Sequence, residues 1–134
     1  MRKRLAKHYE CPTEFALDVL GGKWKTVILS YLKERPCRFA DLRRLLPKLS
    51  EKVLTQRLRE LTNQGLVTRE ASVTGKFGVY VLTRRGKSLS GPLSEIYAWG
   101  FANAPLFGVT VGAPLESLVR PKLPRSDWQP LATR

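Results

Sequence analysis

Lys52, Thr55, Gln56 and Arg59 are the residues whose types and spacing could do chemistry in this chain, and that chemistry is recognition rather than catalysis. They lie in the run LSEKVLTQRLRELTNQGLVTR, residues 49–69, where Val53, Leu54, Leu58 and Leu61 recur at helical spacing. On a helix, Lys52, Gln56, Arg59 and Asn63 point away from that leucine face, with Thr55 on its flank. Arginine and lysine can read guanine edges in a DNA major groove, and asparagine and glutamine can read adenine edges. The plain alternative is a solvated face, since charged and amide residues cover the outside of most surface helices. Nothing competes as a reaction centre. His8 is the only histidine, Cys11 and Cys37 lack metal-ligand spacing, and no nucleophile stands beside an oriented base. The expectation is a protein that is not an enzyme and uses no metal and no cofactor.

The recognition run carries its own start and stop signals. Ser50 is a good N-cap, and Glu51 sits where the helix dipole favours an acid. Gly65 can take the left-handed position after the last turn, with Leu66 folding back on Leu61. The helix is therefore expected over about residues 50–64.

Three helices should precede it. Cys11-Pro12 breaks any earlier helix and Thr13 can cap the first, which Phe15, Ala16, Leu17, Val19 and Leu20 furnish with apolar faces until Gly21-Gly22. Trp24, Val27, Ile28, Tyr31 and Leu32 form a broad stripe over about Lys23 to Glu34, ended by Arg35-Pro36. A short third helix, about Arg38 to Leu46, turns Phe39, Leu42, Leu45 and Leu46 inward and ends at Pro47. Two helices joined by a brief turn, the second longer and basic outside, is the helix-turn-helix plan. After Gly65 the period moves towards 2: residues 66–70 and 79–82 read as strands around a turn with two glycines, so a hairpin, or wing, follows the recognition helix. The fold class expected is mostly α with a small β-hairpin, a winged helix-turn-helix.

The charge agrees with that placement. The formal net charge is +13, and residues 35–87 hold thirteen cations against four acids. A cationic patch around the recognition helix points to a polyanion, nucleic acid first, with an anionic membrane surface as runner-up. There is no run of about 20 apolar residues, no apolar core to the basic N-terminus as a secretory signal needs, and too few cysteines for a disulfide scaffold, so a cytoplasmic protein with no membrane association is expected.

Thr83 can cap a last helix, about Arg84 to Phe101, kinked at Gly91-Pro92. Leu89, Leu93, Ile96, Tyr97 and Trp99 make it strongly apolar, and the economical partner for that surface is the same helix of a second subunit. A two-fold dimer would then present two recognition helices to half-sites roughly 34–36 Å apart. Residues 102–134 hold five of the nine prolines together with Leu106, Phe107, Leu115, Leu118, Val119 and Trp128, and read as an extension that packs in part, with a helix only at about Pro114 to Val119.

In combination, these residues resemble a known family. Cys11-Pro12, Leu17, Leu20-Gly21-Gly22-Lys23-Trp24, Arg38-Phe39 with Leu42, Leu54-Thr55-Gln56-Arg57-Leu58-Arg59-Glu60-Leu61, Gly65-Leu66-Val67 with Arg69, Tyr80 with Leu82-Thr83, Gly86 and Trp99-Gly100 are similar to the motifs of HxlR-type winged helix-turn-helix regulators, which are related in architecture to MarR regulators. The resemblance divides the chain into a basic arm (1–10), the family domain with its dimerisation helix (11–101) and the extension (102–134). It implies a homodimer on double-stranded DNA that regulates, and most simply represses, nearby genes. The wing departs from the family pattern: Lys76-Phe77-Gly78 stands where a proline is frequent. Cys11 matches the cysteine that reacts with oxidants or electrophiles in redox-sensing members. Its place before a helix, near Lys7 and His8, would favour thiolate; the alternative is an inert thiol. Cys37 matches no family role.

The expected roles follow. Lys52, Thr55, Gln56 and Arg59 read bases; Arg38, Arg43, Lys48, Ser50 and Lys76 hold phosphates; Cys11 is the sensor for a small-molecule or electrophile effector; Leu89, Leu93, Ile96, Tyr97 and Trp99 line the dimer interface. Arg57 sits beside the leucine face and can pair with an acid inside the domain. The alternative function is a winged helix that binds DNA or RNA without sequence preference.

Overall fold

Leucine spacing in the first half of the chain builds four helices that share one core. The computed structural model describes residues 5–71 and 78–112, and these divide after Lys87 into two units. In the first, α1 (Pro12–Leu20), α2 (Lys25–Glu34), α3 (Phe39–Leu45) and α4 (Glu51–Asn63) are followed by β1 (Val67–Ala71), β2 (Gly78–Leu82) and a single turn, α5 (Arg84–Lys87). The core is aliphatic. Ile28 of α2, Leu42 of α3, and Leu54 and Leu61 of α4 have 0% exposure, and Leu29, Leu32, Leu58, Leu66 and Val67 close around them. Burying each such side chain contributes about 1.5–3 kcal/mol, so α4 is fixed by its leucines whatever its outer face carries.

The two strands pair antiparallel, with Val67 opposite Leu82, Arg69 opposite Tyr80 and Ala71 opposite Gly78. Cys37 adds a third, one-residue rung: its N–H donates to the Tyr80 carbonyl at 3.1 Å, and the Tyr80 N–H donates back at 2.7 Å. The hairpin is thereby tied to the loop before α3. The expected winged helix-turn-helix order is what the first unit shows.

Helix ends explain where the expectations held and where they shifted. The α4 stop is as expected: Gly65 has φ +71, the Leu66 N–H donates to Leu61 O and the Gly65 N–H to Thr62 O, both at 3.0 Å. A side chain at position 65 would be strained in that left-handed conformation, and this closure satisfies the carbonyls that a helix end leaves open. The first helix starts earlier than the Thr13 cap suggested. Cys11 is the N-cap residue and Pro12 opens the helix, because proline's fixed φ and missing N–H suit the first helical position. Its apolar residues mostly stay outside, with Leu20 buried but Phe15 and Leu17 46% and 56% exposed.

The last helix is not one kinked rod. It breaks into α5 and a separate α6 (Ser90–Asn103). Thr83 caps α5 as expected, accepting the Gly86 N–H at 3.0 Å while its hydroxyl donates to Gly65 O at 2.5 Å. The helical hydrogen-bond ladder is interrupted here, because Pro92 lacks an N–H for the carbonyl of Ser88 and its ring would strike that carbonyl. A fresh helix therefore begins, with Pro92 in its first turn.

The second unit, within the described residues, is α6 followed by a 3-10 turn at Ala104–Phe107. Leu93 is its one buried residue, whereas Ile96, Trp99, Phe101, Leu106 and Phe107 are exposed. Trp99 and Phe107 form a tilted ring pair with centroids 6.3 Å apart. The helix considered at Pro114 to Val119 lies outside the described residues.

Candidate nucleic-acid interface

α3, the turn Leu46–Ser50 and α4 position the recognition residues. In the turn, Leu49 is buried and its N–H donates to Leu46 O at 3.0 Å, so the loop is pinned from inside. Ser50 then caps α4, its Oγ accepting the Val53 N–H at 3.2 Å. That bond uses an oxygen lone pair and leaves the hydroxyl proton able to donate to a phosphate.

With the leucines turned in, Lys52, Thr55 and Arg59 are exposed together on the outer face, beside Thr62 and Asn63. Gln56 differs from its companions. It is half-buried, and its amide donates to Glu60 Oε1 at 3.4 Å, so it stands at the edge of the face rather than on it. The cause is Arg57. Its guanidinium donates to both Glu60 oxygens, at 2.9 and 3.0 Å, and to Lys23 O at 2.9 Å. Arg57 and Glu60 side chains are only 20% and 17% exposed, so this pair is a structural clamp, as the acid-pairing reading of Arg57 had it. It draws Glu60, and with it Gln56, towards the domain.

The clamp also accounts for the GGKW motif. Trp24 has φ +79, an uncommon left-handed conformation for a bulky residue. That turn presents the Lys23 carbonyl to Arg57 and starts α2 at Lys25. Lys25 is the one buried charged residue among those described, 2% exposed. Its ammonium donates to Val19 O at 2.7 Å and Gln64 Oε1 at 2.8 Å, and the Gln64 amide donates to Val19 O at 3.3 Å. Burial pushes its pKa down, against the pull of nearby Glu60. The end of α1, the start of α2 and the end of α4 meet at this triangle. Nothing in the sequence marks Lys25 for this role, because a lysine on a surface-length helix gives no signal of burial.

The phosphate candidates fall around the turn. Arg38 and Arg44 both bond Asp41, and the Arg38 N–H donates to Asp41 Oδ2 at 2.9 Å. That backbone bond, then the two guanidiniums, hold the Asp41 carboxyl down at about 2. Arg43 reaches across the turn to Glu51 at 3.5 Å. Both Arg38 and Arg43 are about half-exposed, and exposed pairs of this kind contribute only about 0–1 kcal/mol, so their arginines can exchange an acid for a phosphate at little cost. Lys48 is exposed beside them. Lys76 lies outside the described residues.

Cys11 is exposed at the start of α1. Its sulfur closes no cap hydrogen bond, but the backbone N–H groups of Glu14 and Thr13, then the Thr13 hydroxyl, pull its pKa below the ordinary value. Ala6 and Tyr9 before it are anchored: the Tyr9 hydroxyl donates to Asp18 Oδ2 at 2.8 Å and accepts the Ala6 N–H at 3.0 Å, and the Tyr9 ring meets Phe15 edge-on. Cys37 is the opposite case, buried at 1% exposure with its pKa raised by that burial. Of the expected interface residues, Leu93 is buried, Leu89 and Tyr97 are half-buried, and Ile96 and Trp99 are 50% and 48% exposed. Among the described residues no three His, Cys, Asp or Glu side chains gather as metal ligands, and no helix is long and apolar enough to cross a membrane.

Known proteins share this arrangement. The chain is 39% identical over 120 residues to the uncharacterised HTH-type transcriptional regulator YtcD of Bacillus subtilis, covering 87% of this chain and 94% of that one. The reduced form of the redox regulator HypR superposes with a TM-score of 0.67 at 35% identity, covering 73% of this chain and 98% of its own. The reduced form of YodB from B. subtilis superposes at 0.61 with 33% identity, covering 69% and 93%, and YodB is also known in quinone-bound and diamide-treated forms. The HxlR-like helix-turn-helix family matches residues 19–106, and with α4, its turn and the hairpin in place the chain belongs to that family of DNA-binding transcriptional regulators.

Proposed function

We propose that this chain is a sequence-specific regulator, most simply a repressor, that binds a pseudo-palindromic operator as a homodimer with α4 in the major groove. The observation that carries the reading is the outer face of α4. Lys52, Thr55 and Arg59 stand exposed on a helix whose leucines are fully buried and whose N-terminus is set by Ser50. Side chains on so rigid a support lose little freedom on binding, which suits direct base readout. Gln56 joins them if a base edge draws its amide from Glu60. Arg38, Arg43, Lys48, Ser50 and Lys76 take phosphates on either side.

The dimer would use the apolar surface left exposed on each unit: Ile96 and Trp99 of α6 with Leu89 and Tyr97 at its margin, and Phe15 and Leu17 of α1. The α1 residues were not among the interface candidates in the sequence, where they only gave the first helix apolar faces. Exposed apolar residues of this size, on each of the two units, are typical of surfaces that bind protein.

Cys11 is the effector site in this reading. Its exposure and lowered pKa favour the thiolate form, the nucleophile that reacts with oxidants and electrophiles, and relatives known as redox regulators or in quinone-bound form support that chemistry. Modification beside the proposed interface would change subunit geometry, and with it the spacing of the two α4 helices.

Fluorescence anisotropy tests the reading, with the duplex upstream of the chain's own gene and a random duplex at one salt near 150 mM, with further upstream duplexes from the same genome screened alongside. A preference of about 10³-fold or more for one duplex is expected. Equal, salt-sensitive affinities on all of them would overturn sequence specificity and leave a general nucleic-acid binder.

A further inference from the structure

The hairpin register puts Val67–Leu82, Arg69–Tyr80 and Ala71–Gly78 on one face. That face starts in the core, where Val67 is 1% and Leu82 8% exposed, and leaves it at Arg69, which is exposed. The Arg69 guanidinium carbon lies 5.9 Å from the centre of the Tyr80 ring. Its side chain crosses directly over Gly78: a methyl group there would come within 2.2 Å of Arg69 Nε, 2.9 Å of Cγ and 3.0 Å of Cδ. Gly78 thus leaves a notch, the space that the Arg69 side chain occupies, and a Cβ there would force that side chain to shift. Tyr80, the floor of that notch, is itself fixed by its paired backbone bonds to Cys37.

Arg38, Arg43, Arg44 and Arg57 each hold an acid, whereas Arg69 makes no ion pair among the described residues. An aromatic ring orients a guanidinium without neutralising it, so the charge and the planar donor fork stay available to an anion. The notch is built on the hairpin that directly follows α4, in the same unit as the recognition face, and Arg69 there is exposed.

We propose that Arg69 is a preset phosphate contact at the root of the wing, seated by Gly78 and Tyr80, that grips the DNA backbone whatever the base sequence. This rests on α4 being the groove-reading helix. The test is the salt dependence of full-chain binding to the preferred and the random duplex, by anisotropy, for wild type, Arg69→Ala, Arg69→Lys and Gly78→Ala. Losing one phosphate contact from each subunit of the dimer should reduce the slope of log K against log[salt] by about 1.8. Arg69→Ala should show that reduction on both duplexes with an equal fold-loss of affinity, Gly78→Ala should follow it by unseating the arginine, and Arg69→Lys should restore the slope. A weaker Arg69→Ala protein with an unchanged slope would make Arg69 a structural prop and overturn the proposal, as would unchanged affinity. The outcome is separable from the reading of α4: a missing gap between preferred and random duplex defeats that reading, whereas an unmoved slope defeats the role of Arg69.

Discussion

Replacing Lys25 with methionine removes the ammonium at the junction of α1, α2 and α4 while keeping the buried stem. Two charge-assisted hydrogen bonds are lost, to Val19 O and Gln64 Oε1. Bonds to a charged group contribute about 1.5–3 kcal/mol each. Opposing them is the cost of holding a cation at 2% exposure, an effective penalty of several kcal/mol. Val19 O keeps the Gln64 amide as a donor, and Gln64 is half-buried, so its oxygen can find water. The balance favours the wild type by about 1–2 kcal/mol near pH 7. With a urea slope of about 1–3 kcal/mol per molar, the unfolding midpoint should fall by about 0.3–2 M at fixed protein concentration. The pH dependence has a definite sign. Burial lowers the folded-state pKa below the ordinary 10.5, so between the two values the unfolded chain binds more protons. Wild-type stability relative to Lys25→Met must then rise with pH across the window that ends near 10.5. Urea titrations of both proteins in reductant at several values between pH 7 and 10.5 read this directly. A methionine variant at least as stable at pH 7 would show that desolvation outweighs the bonds. A gap that narrows as pH rises would refute the assignment of a depressed lysine.

Three further outcomes are expected. Arg59→Ala should lower affinity for the preferred duplex by about 1–3 kcal/mol and leave random-duplex binding little changed; equal losses on both would make Arg59 a phosphate contact. Cys11→Ser should abolish any change in DNA affinity caused by diamide or a quinone, and in the wild type Cys11 should be alkylated by iodoacetamide well before Cys37, read by mass spectrometry; a response that survives in the serine variant removes Cys11 from the sensing role. Asp41→Asn should cost about 1 kcal/mol at pH 7 by weakening the start of α3. Because the Asp41 pKa falls from 3.8 to about 2 on folding, its contribution is complete above about pH 4 and is lost as pH drops through about 2, so the two proteins should converge in thermal melts at low pH, and a constant difference would refute the pKa shift.

Much of the interface could be read from local pattern. Ser50, the leucines of α4 and Gly65 act within one helix, so spacing alone located the helix, its cap and its stop. Gln56 could not be sorted that way. Its helical position resembles that of Lys52 and Arg59, and only the Arg57–Glu60 clamp, which depends on the Lys23 carbonyl from another part of the chain, pulls it to the edge. The apolar faces of α1 could not be sorted either: spacing alone does not say which of them meets the core, and in the fold α1 buries Leu20 while Phe15 and Leu17 stay exposed.

The sequence by itself determined the order of elements, the recognition helix with its termini, the hairpin after it and the cationic middle of the chain, because periodicity, caps and charge are properties of neighbours along the backbone. The tertiary structure decided what depends on residues far apart. It buried Lys25 against Val19 and Gln64, brought the Lys23 carbonyl to Arg57, and seated Arg69 over Tyr80 in the space left by Gly78. Each of those outcomes turns on which carbonyl, ring or empty volume another segment brings within reach, and no spacing along a single segment encodes that.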